Sequence, residues 1–148
     1  MGIVTSRSTE PAQKANRAIM DKQDYLRQVD TARQGVSEGQ TPETLRSLAK
    51  ALHSLARYLA NHERSYAEAV GTYEEAASIF RALPDAQSEA RAYFDLGLAY
   101  ELGFEDYELA ARYVRKAMDL APDEKSRLYY EQELDCLQVN RLKKGSLH

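Results

Sequence analysis

Arg46, Lys50, His53, Arg57 and Asn61 follow one another at spacings of four, three, four and four residues. That spacing lines side chains along one face of a helix. A stripe of cations can hold carboxylates, with arginine offering paired N–H donors to both oxygens of one group. An ordinary solvated helix face has the same pattern, so the residues alone leave both readings open. Catalytic chemistry finds less support. The histidines stand apart at 53, 62 and 148, and there is no His-x-x-x-His, Cys-x-x-Cys or glycine-rich phosphate loop. Glu74-Glu75 and the group Glu131, Glu133 and Asp135 read as exposed helix faces, and Cys136, beside Leu137, as a small buried hydrophobe. The expectation is a chain without catalytic residues, metal or cofactor. Met1-Gly2-Ile3-Val4-Thr5-Ser6 fits the pattern for N-myristoylation at Gly2. A single acyl chain binds membranes only marginally, so peripheral attachment would need a second signal.

These residues need elements to position them, and composition limits which are available. The chain has 148 residues and a formal charge of −3, which suits one domain and argues against a nucleic-acid partner. One cysteine excludes an internal disulfide and points to a reducing, cytoplasmic setting. No uncharged apolar run approaches the roughly 20 residues that a membrane span requires. Charge is uneven along the chain. Residues 1–64 carry ten Lys/Arg against seven Asp/Glu, whereas residues 65–148 carry ten against sixteen.

Apolar residues recur at helical spacing throughout. Leu52, Leu55, Ala56 and Leu59 share one face, as do Tyr93, Leu96, Gly97 and Tyr100. These two sets match each other at an offset of 41 residues, and the offset continues through Tyr66/Tyr107, Ala69/Ala110, Ala76/Ala117 and Ile79/Leu120. Such self-similarity marks a repeated supersecondary unit. Pro42, Pro84 and Pro122 punctuate the chain, with Thr41 as a helix cap. The reading is all-α, with helices near 11–37, 42–62, 65–82, 86–102, 106–120 and 124–143 and no strand. Tails at 1–10 and 144–148 are expected to be flexible around a single domain at 11–143. Gly103 suits a helix C-cap. Ala56, Gly97, Ala69 and Ala110 let paired helices approach closely, while Tyr66 and Tyr107 are placed to wedge against the next unit.

Tyr93-x-x-Leu96-Gly97-x-x-Tyr100 resembles the Trp-x-x-Leu-Gly-x-x-Tyr signature of the tetratricopeptide repeat family, with tyrosine in place of tryptophan. Glu105-Asp106-Tyr107-x-x-Ala110 is similar to that family's turn, and Ala117-x-x-Leu120-Ala121-Pro122 to its close. Residues 52–80 repeat the pattern more weakly, and the period resembles the longer-helix variety of the family. The resemblance implies antiparallel helical hairpins stacked in a right-handed superhelix, with a concave groove that binds a protein or peptide. It also implies which side chains face the groove: Lys50, His53, Ser54, Arg57 and Asn61 from one helix, and Arg91, Phe94, Asp95, Leu98 and Glu101 from the next. Asp95 and His53 depart from the Lys/Asn/Arg set with which some members clamp chaperone carboxylates. An adaptor for an acidic, apolar peptide is therefore the first expectation. A self-associating structural subunit, a homo-oligomer, is the second, because two clear repeats are few for a stable stack.

Overall fold

The computed structural model describes residues 20–146. They form six α-helices in chain order: α1 (Lys22–Glu38), α2 (Pro42–Tyr58), α3 (Tyr66–Ala82), α4 (Ala86–Phe104), α5 (Tyr107–Leu120) and α6 (Glu124–Ser146). No strand occurs among the described residues. Each helix packs chiefly on its chain neighbours, as in a linear stack of hairpins.

The helix starts are written locally. Thr41 caps α2 through Thr44 with Pro42 in the first turn, and Asp85, Asp106 and Asp123 accept from the backbone N–H groups of Ser88, Leu109 and Ser126. Helix α1 differs from expectation. Asp21 and Asp24 form a reciprocal capping box, with bonds of 2.9 and 3.1 Å, so the helix starts at Lys22 rather than near residue 11. The expected tail at 1–10 and the stretch 11–19 lie outside the described residues.

The 41-residue offset extends to the turns. Helix α2 ends in a π turn, Leu59–Glu63, followed by Arg64 in the left-handed region at φ 54° and a bond from Ser65 N–H to Leu59 C=O of 2.8 Å. One repeat later Glu105 has φ 50° and Asp106 N–H donates to Tyr100 C=O at 3.1 Å. Both turns are the left-handed helix cap that normally takes glycine. Arg64→Gly should therefore stabilise the fold by up to about 1 kcal/mol, because removing the Cβ strain outweighs the added chain entropy. A shift of the urea midpoint to lower concentration would contradict this.

The core follows the predicted faces. Leu48, Leu52, Leu55 and Leu59 of α2 are buried, and Ala56, Ala69, Leu96 and Ala110 have no exposed surface. A Cβ added to Gly97 would lie 2.9 Å from Val114 Cγ2 and 3.0 Å from the Ala110 carbonyl, so the close approach of α4 and α5 depends on that glycine. Gly103 is not a C-cap. It lies inside α4, facing Tyr66, and the helix continues to Phe104. Tyr66 thus wedges against the following unit, and one period on Tyr107 meets Lys144, whose Nζ lies 5.6 Å from the ring centroid.

Helix α6 also runs past its expected end, through Ser146, with Lys144 Nζ 2.5 Å from Glu105 Oε2. Cys136 is exposed, contrary to the sequence reading, because the buried position on α6 is its neighbour Leu137. One residue step turns a side chain about 100° around a helix, enough to exchange core for solvent.

Candidate functional site

Helices α2, α4 and α6 lie side by side, with α4 and α6 parallel. The pairing shows it: His53 meets Asp95, Phe94 meets Tyr130, Glu101 meets Asn140 and Glu105 meets Lys144. Side chains from all three meet on one face of the stack. At its centre is a cavity of about 150 Å³ lined by Arg57 and Asn61 of α2, Tyr66 and Tyr73 of α3, Arg91, Phe94, Asp95, Leu98 and Leu102 of α4, and Tyr129 of α6.

Six of the ten residues expected in the groove therefore meet in one place: Arg57, Asn61, Arg91, Phe94, Asp95 and Leu98. Arg57, Asn61 and Arg91 are exposed at its mouth. Phe94 and Asp95 are not displayed to solvent as the sequence reading had them. Phe94 is 3 % exposed, its ring centroid 5.2 Å from Tyr129 and 4.9 Å from Tyr130, and it holds α6 against α4. The Asp95 carboxylate turns inward, accepting from His53 Nε2 at 2.7 Å with Arg91 Nε at 3.7 Å. A buried carboxylate is costly without such partners. The His53 ring also rests against Tyr73, at 5.6 Å between centroids. Burial, and secondarily the charge of Asp95, pushes the Tyr73 hydroxyl far up, so it stays protonated and can donate into the cavity.

The remaining expected residues lie elsewhere. Lys50 and Ser54 line a different groove, between α1 and α2. Glu101 turns toward α6, where its carboxylate accepts from Asn140 Nδ2 at 3.0 Å and faces Glu133. Glu133 is not the solvated acid expected of it. Burial first, then the Glu101 carboxylate, pushes its pKa up to about 7. A carboxyl whose folded pKa lies above its unfolded value binds more protons when folded, so stability falls as pH rises through the window between them, here about 4.5 to 7. Urea unfolding followed across that window should show the decline, and Glu133→Gln should flatten it and leave the protein more stable than wild type at alkaline pH. Equal slopes in the two proteins would remove Glu133 as the cause.

Sequence reasoning missed Tyr66, Tyr73, Leu102 and Tyr129 as lining residues. Leu102 was legible in principle, one turn beyond Leu98 on the same helix face. Tyr129 was not, since only the docking of α6 brings it to Phe94. Gly2, the expected acylation site, lies outside the described residues. Among the described residues no cluster of three His, Cys, Asp or Glu is placed to hold a metal, and no helix is long and apolar enough to cross a membrane.

A family model described as tetratricopeptide repeat matches residues 47–123, just over half of the chain, from the first turns of α2 to the loop after α5. No curated protein and no solved structure matches.

Proposed function

This chain belongs to the tetratricopeptide repeat family, and from that premise we propose that it is a non-catalytic adaptor whose concave groove holds an acidic, apolar peptide segment of a protein partner. One observation carries this reading: exposed Arg57 and Arg91 stand over a cavity walled by Leu98, Leu102 and the ring of Tyr129. Arg57 makes no ion pair among the described residues, although Arg91 is partly engaged by Asp95. A carboxylate on the ligand would find one open guanidinium, and an adjacent apolar side chain would cover Leu102, which is 64 % exposed. Burying such a side chain contributes on the order of 2 kcal/mol, and the charge contact adds specificity and on-rate.

The test is selection of peptides from a display library against the full chain, followed by titration of variants with the selected peptide. Arg57→Glu should weaken binding by about 2 kcal/mol or more, through a lost attraction and an added repulsion in a partly desolvated site. The fold should be unaffected, because Arg57 is exposed and turned away from Leu52, Leu55 and Leu59. Added salt should weaken the wild-type complex through screening. If affinity is unchanged in Arg57→Glu, the stripe on α2 is a solvated face and this reading fails.

A further inference from the structure

Asp95 is a carboxylate of the protein's own, set where a ligand's carboxylate has to compete with it. Its oxygens face different partners. Oδ2 is 2.7 Å from His53 Nε2, and Oδ1 is 3.7 Å from Arg91 Nε. The Asp95 side chain is 8 % exposed and that of Arg91 47 %, so the carboxylate is held inside while the guanidinium has room to turn outward. His53 does not line the cavity. It stands behind Asp95, with its ring against Tyr73.

Few charged or titratable groups surround His53. On its own helix Arg57 lies one turn on, at the cavity mouth, and Lys50 turns to the groove with α1. Tyr73 faces it from α3 and Asp95 from α4, with Arg91 beyond, and the charges of Asp95 and Arg91 act on Tyr130 of α6. Burial pushes both tyrosine hydroxyls up, so they stay protonated, and arginine keeps its charge throughout. Of these side chains a histidine is the kind that changes charge near neutral pH.

We infer that His53 is a positioning residue that couples capture of an acidic ligand to uptake of a proton. The ligand draws Arg91 off Asp95, and His53, by protonating, replaces it as the counter-charge of the buried carboxylate. This rests on the peptide-binding reading and adds its regulation. While His53 is neutral, Arg91 is the one cation paired with Asp95 among the described residues. A ligand carboxylate on Arg57 and Arg91 weakens that pairing and brings a second negative charge to the cluster. A buried carboxylate left without a partner is costly, and both changes favour imidazolium over imidazole. An ionised carboxylate only accepts hydrogen bonds, so Nε2 carries the hydrogen facing Asp95 and Nδ1 takes the proton from solvent. The bound form then holds more protons than the free form. Affinity is therefore greatest at low pH and falls as pH rises, and the ligand raises proton affinity by the same factor.

Titration calorimetry of the full chain tests this between pH 6 and 8, in two buffers of different ionisation enthalpy. The probe is an N-acetylated, histidine-free acidic peptide from the display selection, whose own carboxyls titrate below that range. Wild type should bind roughly tenfold more tightly at pH 6 than at pH 8, a coupling of ordinary size, and take up a fraction of a proton per peptide near pH 7. His53→Gln keeps an N–H donor for Asp95 without the charge, and should bind with a flat pH profile and no uptake. Glu133→Gln should keep the wild-type profile, because Glu133 titrates in this range but faces Glu101. If His53→Gln is poorly folded by circular dichroism, the ring Cε1 proton of His53 in wild type serves instead. Its titration midpoint by NMR should rise when peptide binds. Wild-type affinity that is flat in pH, with no proton taken up and with Arg57→Glu still weakening binding, overturns the coupling and leaves the peptide reading standing. A pH dependence that survives in His53→Gln, or a midpoint that does not move, overturns it equally. A selection that yields no acidic peptide overturns both readings together.

Discussion

Phe94→Ala should lower folding free energy by about 3–5 kcal/mol, the usual loss for a buried aromatic ring cut back to a methyl. The ring touches both Tyr129 and Tyr130 and closes one side of the central cavity. Its removal would merge the void it leaves with that cavity and free α6 from α4. The magnitude separates two roles that a residue on the groove face can have. A side chain displayed for a ligand costs little to remove from the free protein, whereas one that pins a helix costs several kcal/mol. Urea unfolding of Phe94→Ala beside Phe94→Leu decides it, with leucine expected to restore much of the loss by refilling volume. A cost below about 1 kcal/mol in the alanine variant would return Phe94 to the set of displayed residues.

Two glycines on adjacent helices should respond to the same substitution with opposite signs. A Cβ at Gly103 would lie 2.4 Å from both Cβ and Cγ of Tyr66. Tyr66 Cβ is fixed by its backbone and cannot swing aside, so α3 and α4 would have to separate. Gly103→Ala should destabilise by about 2–3 kcal/mol, overpacking strain outweighing the roughly 1 kcal/mol that alanine gains in a helix interior. At Gly71, inside α3, an added Cβ meets nothing within 4 Å, and Gly71→Ala should stabilise by up to about 1 kcal/mol. Combining Gly103→Ala with Tyr66→Gly, which removes the Cβ as well as the ring, tests the cause. The two changes should be strongly non-additive if the contact is the origin of the strain. Destabilisation by Gly103→Ala that persists unchanged in the Tyr66→Gly background would place the strain elsewhere.

Local chemistry carried most of the architecture into the sequence. Prolines, aspartate and threonine caps and the i, i+3, i+4 pattern of Leu52, Leu55 and Leu59 act within one or two turns. The repeat was legible because equal packing environments one period apart select equal residue types, as at Tyr66 and Tyr107 or Ala69 and Ala110. The start of α1 was equally local, since the Asp21–Asp24 box is a short-range device, but a continuous polar helical pattern before it concealed the boundary. The family resemblance implies that Arg57, Asn61, Arg91 and Leu98 face the groove, and in the structure all four line the same cavity.

Tertiary structure decided which of the neighbours on that face are displayed and which are consumed in holding helices together. Asp95 is drawn inward because α2 passes close enough to present His53, and Glu101 and Glu133 face each other because α6 lies parallel to α4. Gly103 is kept small by a tyrosine 37 residues earlier, and Cys136 is exposed because α6 rolls Leu137 rather than its neighbour into the core. None of these outcomes is set by residues within a turn of the one concerned. A helix face is defined by local periodicity, whereas the partner that covers it depends on how distant helices cross, a sum over the whole stack that no short window of sequence contains.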